Sequence, residues 1–385
     1  MKSTGKGIAQ HSGPAKLAEP AILARTTPAA MRTALPAATF YNRGLPAEPS
    51  VHPTSPPTTP VDLIPASTAA ALMADDMREV DDVIQHRLAS DVVMINQIAH
   101  YIISAGGKRI RPMLVLLFSS ALGYKGRERF ELAATVEFIH TATLLHDDVV
   151  DESALRRGRQ TANALFGNAA SVLVGDFVYS RAFQMMVSVN RMRVLEVLAD
   201  ATNVIAEGEV LQLMNMHDPD LSVEDYLRVI RFKTAKLFEA SARIGAVLAE
   251  VSPEVEECCA DYGRSLGTAF QLIDDLLDYE GATEQLGKNV GDDLREGKPT
   301  LPLLHAMERG SPAERELIRH AIEHGEVARL PEIVEIVRHT GAITATREAA
   351  RAEADKAAKA LRALPESAYR EALLELCFRS VDRSA

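Results

Sequence analysis

Asp-Asp-x-x-Asp occurs twice in this chain, each time inside an apolar run of helical period. The first copy lies in His140-Thr-Ala-Thr-Leu-Leu-His146-Asp147-Asp148-Val-Val-Asp151, the second in Gln271-Leu-Ile-Asp274-Asp275-Leu-Leu-Asp278. On a helix the outer aspartates of each set are i and i+4 neighbours, and the middle one points about 100° away. Aspartate is a mediocre helix former and like charges at i, i+4 repel, so each set is a carboxylate claw that calls for a cation. A single acidic set could be a solvated helix face; two sets embedded in Leu, Ile and Val are not explained that way.

The rest of the chain supplies helices to carry these claws. From about Ala70 onward apolar residues recur at helical spacing, and no stretch alternates as a strand would. An all-α fold around a cavity is therefore expected. Residues 1–72 differ: they hold more than half of the 19 prolines, mixed with Ala, Ser and Thr, and are expected to form a disordered extension before a catalytic domain at 73–385. An organelle transit peptide and a start codon called too early are the two readings of that extension.

Charge and cysteine content exclude several classes. A net charge of -11 argues against a nucleic-acid surface. The three cysteines, two of them adjacent, make neither a disulfide framework nor a zinc site, which fits a reducing cytoplasm. No apolar run is long enough to span a bilayer, so peripheral contact with a membrane is the most to be expected.

Basic residues stand where the claws need anions beside them. Gly106-Gly107-Lys108-Arg109-Ile110-Arg111-Pro112 breaks one helix and starts the next, with Pro112 in its first turn. Cations at a helix N-terminus make an anion site suited to phosphate. His140 lies seven residues before Asp147, on the same helical face. Arg156-Arg157-Gly158-Arg159 follows the first claw. Lys233-Thr234 interrupts an apolar helix, where a buried ammonium needs a partner. Gly281 to Thr300, with Lys288 and Lys298, reads as a glycine-rich lid. Carboxylates repel phosphates, so a bridging cation is required; magnesium, an oxygen-seeking ion held by one or two carboxylates plus phosphate oxygens, fits. Metal and cations together would stabilise a departing diphosphate, and apolar helices would shelter the hydrocarbon left behind.

In these ordered motifs the chain resembles the trans-prenyltransferases, or polyprenyl diphosphate synthases, over residues 75–385. Gly175 to Met186 and Gly208 to Met214 bring it nearest to members that make an eight-unit chain, the ubiquinone side chain. The resemblance implies an isoprenoid-synthase-type helical bundle around a central cavity, three magnesium ions, and a homodimer. It implies that Asp147 and Asp151, supported by Asp148, and Asp274, supported by Asp275 and Asp278, bind metal. Lys108, Arg111, His140 and Arg157 would hold isopentenyl diphosphate. Arg156, Lys233, Thr234, Gln271 and Lys288 would face an allylic diphosphate such as farnesyl diphosphate, with Lys298 closing the lid. The small Ala142 and Thr143, one turn before the first claw, would admit a long product, with Phe183 and Met186 deeper in the tunnel. No motif position departs from the family pattern. A nonaprenyl or decaprenyl product is the alternative in length. A class I terpene cyclase would lack the second all-aspartate claw and the Gly-Gly-Lys108 site, and a noncatalytic partner subunit would lose claw aspartates.

Overall fold

Residues 68–104, 106–156, 158–280 and 291–383 are those the computed structural model describes, and they fall in one unit spanning Asp62–Ala385. Residues 1–67, and with them most of the expected extension, lie outside the described residues. So do Arg157 and Lys288.

The order begins with α1 (Thr68–Leu72), α2 (Ala74–Leu88), α3 (Val93–Ser104), α4 (Ile110–Ala121) and α5 (Glu128–Val150). A two-rung antiparallel ladder follows, β1 (Leu155–Arg156) with β2 (Arg159–Gln160), pairing Leu155 with Gln160 and Arg156 with Arg159. Next come α6 (Ala162–Phe166), α7 (Asn168–Ser188), α8 (Met192–Asn215) and α9 (Val223–Ile230). A π-helical turn at Arg231–Ala235 leads into α10 (Lys236–Leu248), and α11 (Pro253–Glu280) follows. The chain closes with α12 (Asp292–Arg295), α13 (Leu301–Arg309), α14 (Pro312–His324), α15 (Leu330–His339), α16 (Ala342–Ala360) and α17 (Ala368–Val381).

The all-helical expectation holds, and its one exception among the described residues is the small ladder, too short to leave an alternating pattern. Described helix begins a few residues before the expected boundary at residue 72. Thr68–Leu72 is helical, Ala69 and Met73 are buried, and α1 packs on α17. Ala69 and Met73, four residues apart on one helical face, are enough to join the core, although the segment makes no sustained period.

α11 is packed between α10 and α16, while α5 packs on α7 and α4. Helix α4 is buried from Pro112 to Ser119, as expected for a helix apolar all round. Phe118 meets Tyr262 of α11 edge to face, with ring centres 5.1 Å apart, and the Tyr262 hydroxyl donates to the Leu373 carbonyl at 2.8 Å. These contacts hold α4, α11 and α17 in one core, each large buried side chain contributing about 1.5–3 kcal/mol. α14 shows how local sequence sets an end: Ser311 caps it, Glu314 returns the bond, and Pro312 begins the first turn.

Candidate active site

Both claws open onto one cavity of about 670 Å³, lined from α4, α5, α8, α9, the π turn, α10, α11 and the residues around Lys298. Asp147, Asp151, Asp274, Asp275 and Asp278 contribute to its wall, as do Lys108, Arg111, His140, Thr143, Arg156, Lys233, Thr234, Gln271 and Lys298. The i, i+7 relation of His140 and Asp147 therefore brings both to the cavity.

The first claw ends α5, with Asp151 as its C-cap. The last carbonyls of a helix already concentrate partial negative charge, and the cavity-facing carboxylates of Asp147 and Asp151 add to it, a field that favours cations. Burial pushes the Asp147 carboxyl above its usual range; the charge of Asp151 adds to this and that of Lys233 opposes it. The Lys233 ammonium is 3.9 Å from Asp147 Oδ2 and donates to Glu209 Oε2 at 2.6 Å. Glu209 too is held above its ordinary value, by burial first. The Lys298 ammonium donates to Asp151 Oδ2 at 3.3 Å and pairs with Glu296. Burial opposes the charge on Lys298, but Asp151, Glu296 and Asp293 outweigh it and keep the ammonium protonated beyond its usual range.

Asp148 is placed differently from its neighbours. It is fully buried, lies outside the cavity lining, and accepts from Arg156 through Nε at 2.8 Å and Nη2 at 2.7 Å. It anchors Arg156, which does reach the cavity, and is turned away from any ion between the claws.

The second claw divides in the same way. Asp274 is the outward carboxylate and receives Arg383 Nη1 at 2.9 Å. Asp275 is buried and receives Tyr226 Oη at 2.5 Å and Gln271 Nε2 at 2.7 Å. Burial pushes its carboxyl up to about 7, aided by Asp293, while those two hydrogen bonds pull it down. Asp278 accepts the backbone N–H groups of Gly291 and Asp293, each at 3.2 Å, and so pins the start of α12.

The π turn explains how consecutive Lys233 and Thr234 both reach the cavity. Side chains one apart on an α-helix diverge by about 100°, and the extra residue of a π turn re-aims them. Gly208 of α8 makes room for that turn: a Cβ there would sit 2.6 Å from the backbone nitrogen of Lys233. At the other end, Arg109 adopts φ 48° before α4 and pairs with Glu137 at 2.5 Å. The Lys108 ammonium stands 5.5 Å from the Phe270 ring centre, and the Arg111 guanidinium 4.5 Å from that of Phe238.

Three of the expected product-length residues are not in the cavity lining: Ala142, Phe183 and Met186. Ala142 and Met186 are core residues, and Phe183 packs edge to face on Tyr179. Thr143 does line the cavity. Glu209, Tyr226, Asp293 and Arg383, which no sequence motif marks as site residues, also stand in the wall. An acid in the apolar face of α8 was a usable signal for Glu209. Arg383, close to the chain end, offered none.

The donor set suits an oxygen-seeking dication. Among the described residues no three His, Cys, Asp or Glu side chains converge closely enough to hold a metal by themselves. Asp147 and Asp151 on one side, and Asp274 on the other, would hold such an ion only together with oxygens brought by a substrate, which is how magnesium binds phosphorylated ligands.

The polyprenyl synthetase family model matches residues 92–337. The chain is 59% identical over 313 residues to octaprenyl diphosphate synthase of Escherichia coli, covering 81% of this chain and 97% of that one. It is 44% identical over 314 residues to the all-trans-nonaprenyl-diphosphate synthase (geranyl-diphosphate specific) of Rhodobacter capsulatus, covering 81% and 96%. Among solved structures, polyprenyl synthase from Caulobacter crescentus, complexed with calcium and isoprenyl diphosphate, superposes with a TM-score of 0.80 at 49% identity, covering 83% of this chain and 99% of that chain. With two acidic claws facing one cation-rimmed helical cavity, and with relatives of this closeness over nearly their whole length, the chain belongs to the polyprenyl synthetase family.

Proposed function

We propose that this chain adds successive isopentenyl diphosphate units to an allylic diphosphate, such as farnesyl diphosphate, and releases all-trans octaprenyl diphosphate for the ubiquinone side chain. The observation that carries the reading is the convergence of both claws on one cavity whose rim carries separate groups of cations. Lys108 and Arg111, at the start of α4 with His140 nearby, bind one diphosphate. Arg156, Lys233 and Lys298 bind the other.

The residues that would hold magnesium, three ions when substrate is present, are Asp147, Asp151 and Asp274. Bound there, the metal supplies the positive charge that stabilises a leaving diphosphate. Lys233 and Lys298, released from Glu209 and Asp151, would turn to the outer oxygens of the same group. The apolar wall, including Leu144, Val229, Ile230, Phe238 and Phe270, excludes water while the allylic carbon carries charge. Gln271 and Thr234 lie beside that carbon, and the departing diphosphate is the base for the final proton loss.

Octaprenyl rather than nonaprenyl or decaprenyl product is supported by the 59% identity to the enzyme named for that product. Exposed apolar side chains on α7 and α8, among them Leu173, Val187, Leu213 and Met214, suit the expected homodimer. No described helix is long and apolar enough to cross a membrane; a cytoplasmic enzyme that meets the bilayer only to release product fits. Reversed-phase chromatography of the dephosphorylated product tests the length. An eight-unit alcohol as the main species supports the reading, and a longer or shorter main species replaces it.

A further inference from the structure

Behind the second claw lies a chain of three hydrogen bonds that starts at a tyrosine on α9. Tyr226 Oη donates to Asp275 Oδ2 at 2.5 Å, Gln271 Nε2 donates to Asp275 Oδ1 at 2.7 Å, and Thr234 Oγ1 donates to Gln271 Oε1 at 3.1 Å. Tyr226 and Asp275 are 4% and 5% exposed. Gln271 and Asp275 stand at i and i+4 on α11, and Tyr226 reaches them from a separate helix.

Donor and acceptor chemistry fixes the direction of this chain. A carboxylate only accepts, whereas a primary amide has one accepting and one donating end. In its ionised form Asp275, met by Tyr226 on one oxygen, obliges Gln271 to present its NH₂ to the other. The Gln271 carbonyl oxygen is then left facing Thr234 and the cavity. An oxygen in that position repels a diphosphate and attracts developing positive charge, so it suits the allylic carbon skeleton rather than the phosphates.

We propose that Tyr226 is a positioning residue for the condensation: it locks the Asp275 carboxylate, which in turn holds the Gln271 amide with its oxygen toward the reacting carbon. This rests on the reading that Gln271 and Thr234 border the allylic substrate. Without the tyrosine hydroxyl, Oδ2 of a buried carboxylate loses its partner, Asp275 turns to find another, and the amide loses its fixed orientation. The groups that grip isopentenyl diphosphate at the start of α4 are untouched.

The test is Tyr226→Phe, which removes one hydroxyl and no carbon, with Asp275→Asn as a second variant whose own amide permits Gln271 to turn over. Expected for both is a fall in kcat of about 10-fold, the size of one lost bond to a charged group, with KM for isopentenyl diphosphate within about twofold of the parent. Adding Tyr226→Phe to Asp275→Asn lowers kcat no further, because the tyrosine acts only through that carboxylate. The Gln271 side-chain amide resonances in ¹⁵N-labelled protein, assigned by their loss in Gln271→Glu, shift in both variants. Parental kcat in Tyr226→Phe, multiplicative losses in the double variant, or a loss that falls equally on isopentenyl KM overturns the proposal. If the parent itself condenses nothing, the function reading fails separately, and unmoved Gln271 resonances in Tyr226→Phe still overturn the positioning role.

Discussion

Arg383 donates from Nη1 to Asp274 Oδ1 at 2.9 Å while its guanidinium carbon stands 4.0 Å from the centre of the Phe270 ring. The end of the chain thus supplies a counter-ion to the second claw, as Lys298 does for Asp151 and Lys233 for Asp147 and Glu209. Each outward carboxylate has a protein cation beside it. Binding of metal and diphosphate is then an exchange of partners, in which carboxylates take the metal and the cations take phosphate oxygens.

Arg383→Ala removes a competitor for Asp274, whose side chain is 40% exposed. Pairs of that exposure contribute at most about 1 kcal/mol, so the magnesium concentration for half-maximal activity should fall about 2- to 5-fold. A magnesium titration of initial rate measures it. An unchanged or higher requirement contradicts the exchange.

Asp147 and Asp148 are adjacent but should respond oppositely to replacement by asparagine. Asp148→Asn strands Arg156 beside a buried neutral side chain and should cost about 3 kcal/mol in urea unfolding. Asp147→Asn, at a position where burial already disfavours the ionised form, should change stability by less than about 1 kcal/mol yet lower kcat by about 100-fold or more. Equal losses of stability would show that the two carboxylates are not divided as described.

Thr143 meets the cavity and Ala142 does not. Thr143→Phe should therefore shorten the product, read by chromatography of the extracted alcohols. Ala142→Phe overpacks a site with no exposure and should destabilise the fold by about 1–3 kcal/mol. A parental length distribution from Thr143→Phe places the growing chain elsewhere.

Burial pushes the Cys259 and Cys377 thiols up to about 12, from an ordinary 9.0. A raised thiol value favours the protonated fold, so this contribution to stability is present below pH 9 and is lost as pH rises from 9 toward 12. At pH 8 only the half-buried Cys258 should react quickly with a thiol reagent, and all three cysteines should react in denaturant. Three fast thiols in the native protein would contradict the packing of α11 against α17.

Helices and claws were legible because both are local: a period of 3.6 and an Asp-Asp-x-x-Asp spacing need no partner to be recognised. The shared cavity was legible from charge alone, since six aspartates in apolar runs demand cations. What stayed hidden depends on distant partners. Periodicity shows that Asp148 and Asp275 point away from the outer aspartates of their claws, but not that Arg156 and Tyr226 donate to them, nor that the amides of Gly291 and Asp293 occupy Asp278. The placement of Ala142 outside the cavity lining was equally hidden, because one turn of α5 presents several faces and only α4 and α7 decide which is covered.

The two claws on one cavity make it the place where isopentenyl units are joined to an allylic diphosphate. Purified protein incubated with labelled isopentenyl diphosphate, farnesyl diphosphate and magnesium should place label in a long-chain product. That incorporation should vanish with a chelator and fall at least about 100-fold in Asp147→Asn or Asp274→Asn. A folded parent protein that incorporates no label under these conditions would contradict the account.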